Sequence, residues 1–348
     1  MKNLKLLSLL SSSLCLILIL FACKKDKVSN LSNGNYTNTF NCDEFTFAQS
    51  SITLAATHTD TQYMEPCFSP FSDDEFIYVR SVIGVSPPEI VRYTISSKTE
   101  QVLCTSNDTD GYPLGSPDWG RQSQIIFNVG TGSSGIGYII DDNGNNLQQF
   151  LPSNVNFTSP KFNGNGDRIV SGGTSLPNYY WPIYSLTSNV IDSFPFRFNT
   201  NKFGIGYPSY FTGKFSDGLF SYSDYSQSPN EVGLCYIESD TIVKPVLSTN
   251  NPDGHQVTDV GKFQNLIYYV IYGLGFYQYN EITGVKTLLQ EMCNSKKILN
   301  ISVSQISGNI LIEEEKITKL NESGSIDIQS NIYLLNPYTM EKTPILVE

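Results

Sequence analysis

Gly130, Gly132 and Gly135 stand at the GxGxxG spacing that lets a backbone approach a pyrophosphate. That fingerprint works only where it opens a helix whose N-terminus receives the phosphates. The residues that follow, Ile136 to Asp141, read as a strand, so the spacing predicts a flexible hairpin loop and no dinucleotide site. Asp141, Asp142, Asn143, Gly144 and Asn145 have the oxygen density of a calcium loop but lack the distant Glu that completes an EF-hand. Asn-Gly between two hydrophobic runs is what a tight hairpin requires. Asp73 and Asp74 offer paired carboxylates, in a position that a turn already explains. The two histidines, His58 and His255, are too few for a histidine-rich metal centre, and no GxSxG elbow exists. Five cysteines beyond Cys15 and Cys23, at 42, 67, 104, 235 and 293, are dispersed and form no CxxC pair. Zinc and redox chemistry therefore lack support; the thiols read as small buried side chains, with one or two disulfides left open. No catalytic residue, cofactor or metal ligand is assigned on these grounds.

One loop carries apolar bulk that a connection does not need. Ser175 to Pro182 includes Tyr179, Tyr180 and Trp181, aromatics suited to stack on a sugar or anchor a partner. The competing reading is a loop folded over a rim and packed on itself. Tyr225, in the segment SDYSQSPNE, makes a weaker case.

Stepping outward to the elements that hold these residues, the N-terminus has its own logic. Lys2 and Lys5 precede an apolar run from Leu14 to Phe21, and Leu20, Phe21, Ala22 lead into Cys23. The run is short for a bilayer span and is followed at once by Lys24, Lys25 and Asp26. This pattern resembles a bacterial lipoprotein signal, which implies a leader over 1–22, lipid attachment at Cys23, and a tether outside the cytoplasm. Residues 23–41, rich in Asn and Ser, read as the lipidated N-terminus and a flexible linker, leaving 42–348 as the folded domain. Lys24 after the cysteine implies the outer membrane, facing the periplasm or the cell surface. The net charge of −11 becomes −13 without Lys2 and Lys5, and an acidic surface repels phosphate backbones and anionic head groups. Nucleic acid is therefore not an expected partner, and membrane contact falls to the anchor.

The domain is rich in Tyr (21) and Phe (20), and no window sustains a 3.6-residue apolar period. Instead it repeats. Phe68, Trp119, Phe162, Tyr210, Val260 and Val303 lie 51, 43, 48, 50 and 43 residues apart, and each is followed by a polar turn and a hydrophobic strand. These strands fall within Ser72 to Val79, Arg121 to Asn128, Gly164 to Ser171, Ser216 to Tyr222, Gln264 to Val270 and Ser307 to Ile312. A second hairpin completes a unit, as in Gly137 to Asp141 with Leu147 to Leu151. A four-stranded unit cannot cover both its faces alone, whereas a ring of six does. The repeat therefore predicts an all-β fold, a six-bladed β-propeller of four-stranded antiparallel blades, with Phe45 to Leu54 left over as a closing strand or partial blade.

Ser116, Pro117, Asp118, Trp119 with Gln124 to Phe127 and Gly137 to Leu147 closely resembles the WD40-like repeat of TolB-type β-propellers. Ser159, Pro160, Lys161, Phe162 through Ile169 resembles a second copy, with Lys161 where the repeat usually has an acid. The resemblance implies a TolB-like ring, whose relatives mostly bind proteins, peptides or glycans. TolB's own role does not transfer, because the anchor and spacer here replace its extra domain. The reading is a lipid-anchored envelope propeller that binds a protein or glycan. The alternative is a glycan-active or peptidase-like enzyme with its site in the central funnel. The two differ observably: an enzyme needs carboxylates and basic groups converging in the funnel with perturbed pKa values, a binder an apolar, aromatic patch at a rim.

Overall fold

A computed structural model describes residues 56–57, 61–82, 86–109, 114–130, 135–150, 157–172, 180–186, 191–195, 203–210, 218–224, 231–237, 243–250, 257–292, 296–320 and 326–347. Its strands form six sheets, each built on a four-stranded antiparallel meander of consecutive strands, one of them with the short parallel strand Ala56–Thr57 added. Their innermost strands are Thr61–Phe68, Leu114–Gly120, Thr158–Phe162, Phe203–Tyr210, Val257–Phe263 and Lys296–Val303, which begin blades one to six. Each inner strand contacts the next, and the sixth contacts the first, so the sheets close into a six-bladed β-propeller. The six repeat residues of the sequence all lie at or near the ends of these inner strands. Among the described residues no helix is long and apolar enough to cross a membrane.

The second strand of each blade shows why the ring is needed. Its apolar residues run continuously, because a neighbouring blade covers each face of the sheet. In blade one, Ile77 packs toward blade two while Phe76 and Tyr78 pack toward blade six. In blade two, Ile125 and Phe127 face blade one and Ile126 faces blade three. Blade five divides the same way, Ile267, Tyr269 and Ile271 toward blade four, Tyr268 and Val270 toward blade six. All of these side chains are buried, and each contributes about 1.5–3 kcal/mol of apolar burial. The core is thus a set of interfaces between blades.

The four antiparallel strands of blade six, Lys296–Val303, Ile310–Leu320, Ile326–Asn336 and Glu341–Leu346, all follow blade five in the chain. The seam is closed by side chains. Gln62 donates from Nε2 to the Ile328 carbonyl at 3.0 Å and accepts from the Ser330 N–H at 2.8 Å. Ala56–Thr57 adds a short parallel pairing with Ile326 and Asp327 of blade six. Phe45 to Leu54, expected as a closing strand or partial blade, lies outside the described residues.

The loops singled out in the sequence fall on turns. Val129 pairs with Ile136 across the glycine-rich segment, so residues 130–135 connect two antiparallel strands and open no helix. Asp141 begins a closed turn in which the Gly144 N–H donates to the Asp141 carbonyl at 2.9 Å and the Asn146 side chain donates to Asp141 Oδ2 at 2.6 Å. Asp74 accepts from the Ser96 N–H at 2.7 Å and Asp73 from the Ser304 hydroxyl. Cys67, Cys104 and Cys235 are free thiols. Cys42, Cys293, His58 and His255 lie outside the described residues.

Candidate functional site

Three inner strands carry the same local device. Glu65, Ser116 and Ser159 each precede a proline and have φ of 51°, 49° and 44°. In each case the ladder to the second strand slips at that point. Such a bulge costs conformational energy, on the order of 1–3 kcal/mol for a non-glycine residue in this region, and re-aims the residues beyond it. Here those residues, Cys67, Asp118 and Lys161, line the axial channel. Blades five and six place Asp259 and Ser302 at the equivalent position beside similar ladder slips. The Ser-Pro pairs in blades two and three and Glu-Pro in blade one therefore act on the lumen.

Glycine one residue past the anchor serves the neighbouring blade. A Cβ on Gly120 would stand 2.8 Å from the Phe162 ring, and one on Gly261 would stand 2.2 Å from Val303 Cγ2. Replacing Gly261 by Ala is expected to lower stability by about 1–2 kcal/mol through overpacking. Urea denaturation checks this, and an unchanged midpoint would mean that the blades separate freely at this point.

Two adjoining cavities form the described part of the channel. The wider, about 210 Å³, opens among the ends of the inner strands and is lined by Ser69, Arg121, Lys161, Asn163, Lys262 and Gln305 among others. The narrower, about 110 Å³, lies toward the strand starts, beside Glu65, Ser116, Ser159 and Asn300. Lys161 and Asp259 border both cavities and mark the waist.

The carboxylates of this channel bind backbone of the next blade. Asp118 Oδ2 accepts from the Phe162 N–H at 2.6 Å, and Asp259 Oδ2 accepts from the Ile301 N–H at 2.7 Å. Across the seam, Glu313 Oε2 accepts from the Glu65 N–H at 2.7 Å and from Asn300 Nδ2 at 2.5 Å, while Oε1 accepts from the Ser330 hydroxyl at 2.9 Å. Glu65 in turn accepts from the Ser116 N–H, and Ser302 Oγ from the Phe68 N–H at 3.0 Å. Each bond satisfies a donor that the bulged ladder leaves over, and together they tie blade to blade.

Burial opposes ionisation of these acids. It raises Glu65 and Asp259, against the pull of their N–H donors and of Lys161, and pushes Glu313 up to about 7. Burial first, then Asp118, pushes the Cys67 thiol up to about 12, so it is no thiolate nucleophile near neutrality. For Lys161 burial works against the charge, but Asp118, Asp259 and Glu65 outweigh it and hold the ammonium above its ordinary value. Lys161 Nζ lies 3.6 Å from Asp118 Oδ1, beyond hydrogen-bonding range.

A second feature surrounds the same mouth. The turns between first and second strands and between third and fourth strands lie at this end of the ring. They expose Phe71, Ile306, Tyr338, Met340 and Ile282, of which Tyr338 is 60% and Ile282 75% exposed. Neighbouring turns are tied together by Gln305 Nε2 donating to the Lys262 carbonyl at 2.7 Å and by Ser304 with Asp73. Blades five, six and one therefore each expose apolar side chains on turns at this end of the ring.

No known family's sequence profile matches the chain, and no curated protein is similar to it in sequence. Solved structures are similar in fold. The hydrazine synthase of Kuenenia stuttgartiensis superposes with a TM-score of 0.52 at 12% identity, over 83% of this chain and 44% of that one. The β-propeller domain of the trilobed protease from Pyrococcus furiosus, which has an open velcro topology, gives 0.48 at 9% identity over 82% and 98%. TolB from Acinetobacter baumannii gives 0.35 at 11% over 82% and 54%. The chain shares a fold with the first of these. Activity does not follow from it.

Of the residues proposed from sequence, Cys23, Tyr179 and Tyr225 lie outside the described residues. Tyr180 and Trp181 do not sit in a loop: they begin the third strand of blade three, paired with Pro195 and Phe194. Sequence reasoning missed Glu65, Asp259 and Glu313. The available signal was the residue just before each repeat anchor, which is Cys67, Asp118, Lys161, Ser209, Asp259 and Ser302, a polar or thiol position beside an apolar one in all six units.

Proposed function

We propose that this chain is a lipid-anchored propeller of the cell envelope, held at the outer membrane through Cys23, and that it binds a protein or glycan through an end of the ring. The observation that carries binding over catalysis is the pairing of two features at one mouth. Apolar side chains stand exposed on the surrounding turns, and the channel carboxylates are already engaged by backbone N–H groups of the adjacent blade. General acid–base catalysis needs a carboxyl free to reach a substrate proton, whereas exposed apolar side chains beside a polar cleft are a surface a partner covers.

Two measurements test this reading. Replacing Cys23 by Ala is expected to move the protein from the membrane to the soluble fraction of cells, and persistence in the membrane would overturn the anchor. A photo-crosslinker at position 306 in intact cells, after surface proteolysis has fixed the orientation, is expected to trap one envelope component. Loss of that product when Phe71 and Tyr338 become Ser locates the binding end at the mouth. Loss instead when Tyr179, Tyr180 and Trp181 become Ala assigns it to those aromatics.

A further inference from the structure

Lys161 is out of place in the ring. Its equivalents in the other blades are Cys67, Asp118, Ser209, Asp259 and Ser302, none of them basic. The Ser159 bulge aims it at the waist, where it borders both cavities. The acids around it and the lysine differ in one respect. Asp118 and Asp259 give an oxygen each to a backbone N–H of the following blade, and Asp259 Oδ1 also accepts from the Val260 N–H at 2.8 Å. Glu65 accepts from Ser116. Lys161 Nζ, by contrast, makes no hydrogen bond among the described residues, and its ion-pair oxygen on Asp118 is 3.6 Å away. The waist therefore holds acceptors that are engaged and an ammonium whose three donors are unspent. Above it, Arg121 is exposed on the rim of the 210 Å³ cavity.

We propose that the funnel is a receptor for a carboxylate carried by a polypeptide, with Lys161 as the group that meets it. A carboxylate entering from the mouth supplies an acceptor at hydrogen-bond distance, which Asp118 at 3.6 Å does not, and charge-assisted bonds of this kind are the strong ones. Its source is set by the rim. Its exposed side chains are mostly aliphatic or thioether, Ile306, Met340 and Ile282, with Phe71 and Tyr338 beside them; such a mixture covers apolar peptide side chains, whereas a sugar site is built on aromatic faces. A cavity of this size admits about one residue, so the carboxylate is a chain end or a single acidic side chain.

This assignment rests on the binding reading above, and its test is direct. The probes are N-acetyl-Leu-Phe with a free carboxylate, the same dipeptide as its amide, and galacturonate, titrated into the folded domain by calorimetry. The free acid is expected to bind at least tenfold more tightly than the amide. Lys161→Met should abolish that preference and Lys161→Arg retain part of it, each variant being checked for an intact fold by near-UV circular dichroism. Because Lys161→Met also weakens the ring, Ile306→Glu supplies an independent arm at an exposed site, and it should weaken the free acid at least fivefold. Equal binding of acid and amide overturns the assignment, as does galacturonate binding more tightly than the peptide, or an acid preference that survives in Lys161→Met. If the photo-crosslinker at position 306 still traps a partner in that case, only the carboxylate assignment fails. If it traps nothing, the binding reading fails with it.

Discussion

Replacing Glu313 by Ala is expected to cost about 3–4 kcal/mol of stability at pH 6, the largest loss from any single polar residue described here. The side chain is buried and accepts from the Glu65 N–H, Asn300 and Ser330 at once. Removing it leaves three buried donors without an acceptor, each worth on the order of 1 kcal/mol or more. It does so at the junction between the first and sixth blades, where the ring closes. For a domain of this size the loss corresponds to a fall of roughly 6–16 °C in Tm. Glu313→Gln separates the hydrogen bonds from the charge. Burial pushes Glu313 up to about 7, from an ordinary value of 4.5, so the folded state holds a proton that the unfolded chain releases between those values. The stability this confers is fully present below about pH 4.5 and is lost as pH rises through 7, on the order of 3 kcal/mol in all. Glu65 and Asp259 are raised as well and act in the same direction. Urea denaturation from pH 5 to pH 8 should show the native protein losing stability and Glu313→Gln losing markedly less. Parallel curves would remove Glu313 from the account.

Lys161→Met is the second large effect. The ammonium is the cation whose charge offsets Asp118, Asp259 and Glu65 at the waist. Removing one partner from a desolvated charge cluster is far more costly than never having built it. Because the side chain is about a third exposed in the lumen, the expected loss at pH 8 is discounted to about 2–3 kcal/mol. Without the cation, Asp259 and Glu65 rise further, so their protonation restores the variant as pH falls, and most of the deficit should vanish by pH 5. A variant as stable as the native protein at pH 8 would show that water alone compensates these acids.

The steps between Phe68, Trp119, Phe162, Tyr210, Val260 and Val303 were legible because each anchor lies on an inner strand, and a ring gives every blade the same packing problem. Continuous apolar runs such as Ile125 to Phe127 follow from burial on both faces, a consequence of the ring that one strand already displays. The glycine-rich segment and the Asp-Asn-Gly turn were legible too, because the strands beside them exclude a helix. Tyr180 and Trp181 were misplaced in a loop. Strand pairing with Pro195 and Phe194 is a property of two segments, and aromatic residues fit strands and exposed loops alike.

The sequence by itself determined the repeat, the all-β architecture and the number of blades, since these depend on local pattern and its period. Only the tertiary structure decided that Glu65, Asp118, Lys161, Asp259 and Glu313 meet around one axis. They come from five different blades, up to 248 residues apart in a single hydrogen bond, and the one local mark, the place just before a repeat anchor, covers Asp118, Lys161 and Asp259 but neither Glu65 nor Glu313. Whether an acid faces solvent or a channel depends on a bulge and on the blade beside it, and closure of the ring supplies both the burial that shifts their pKa values and the backbone donors that hold them.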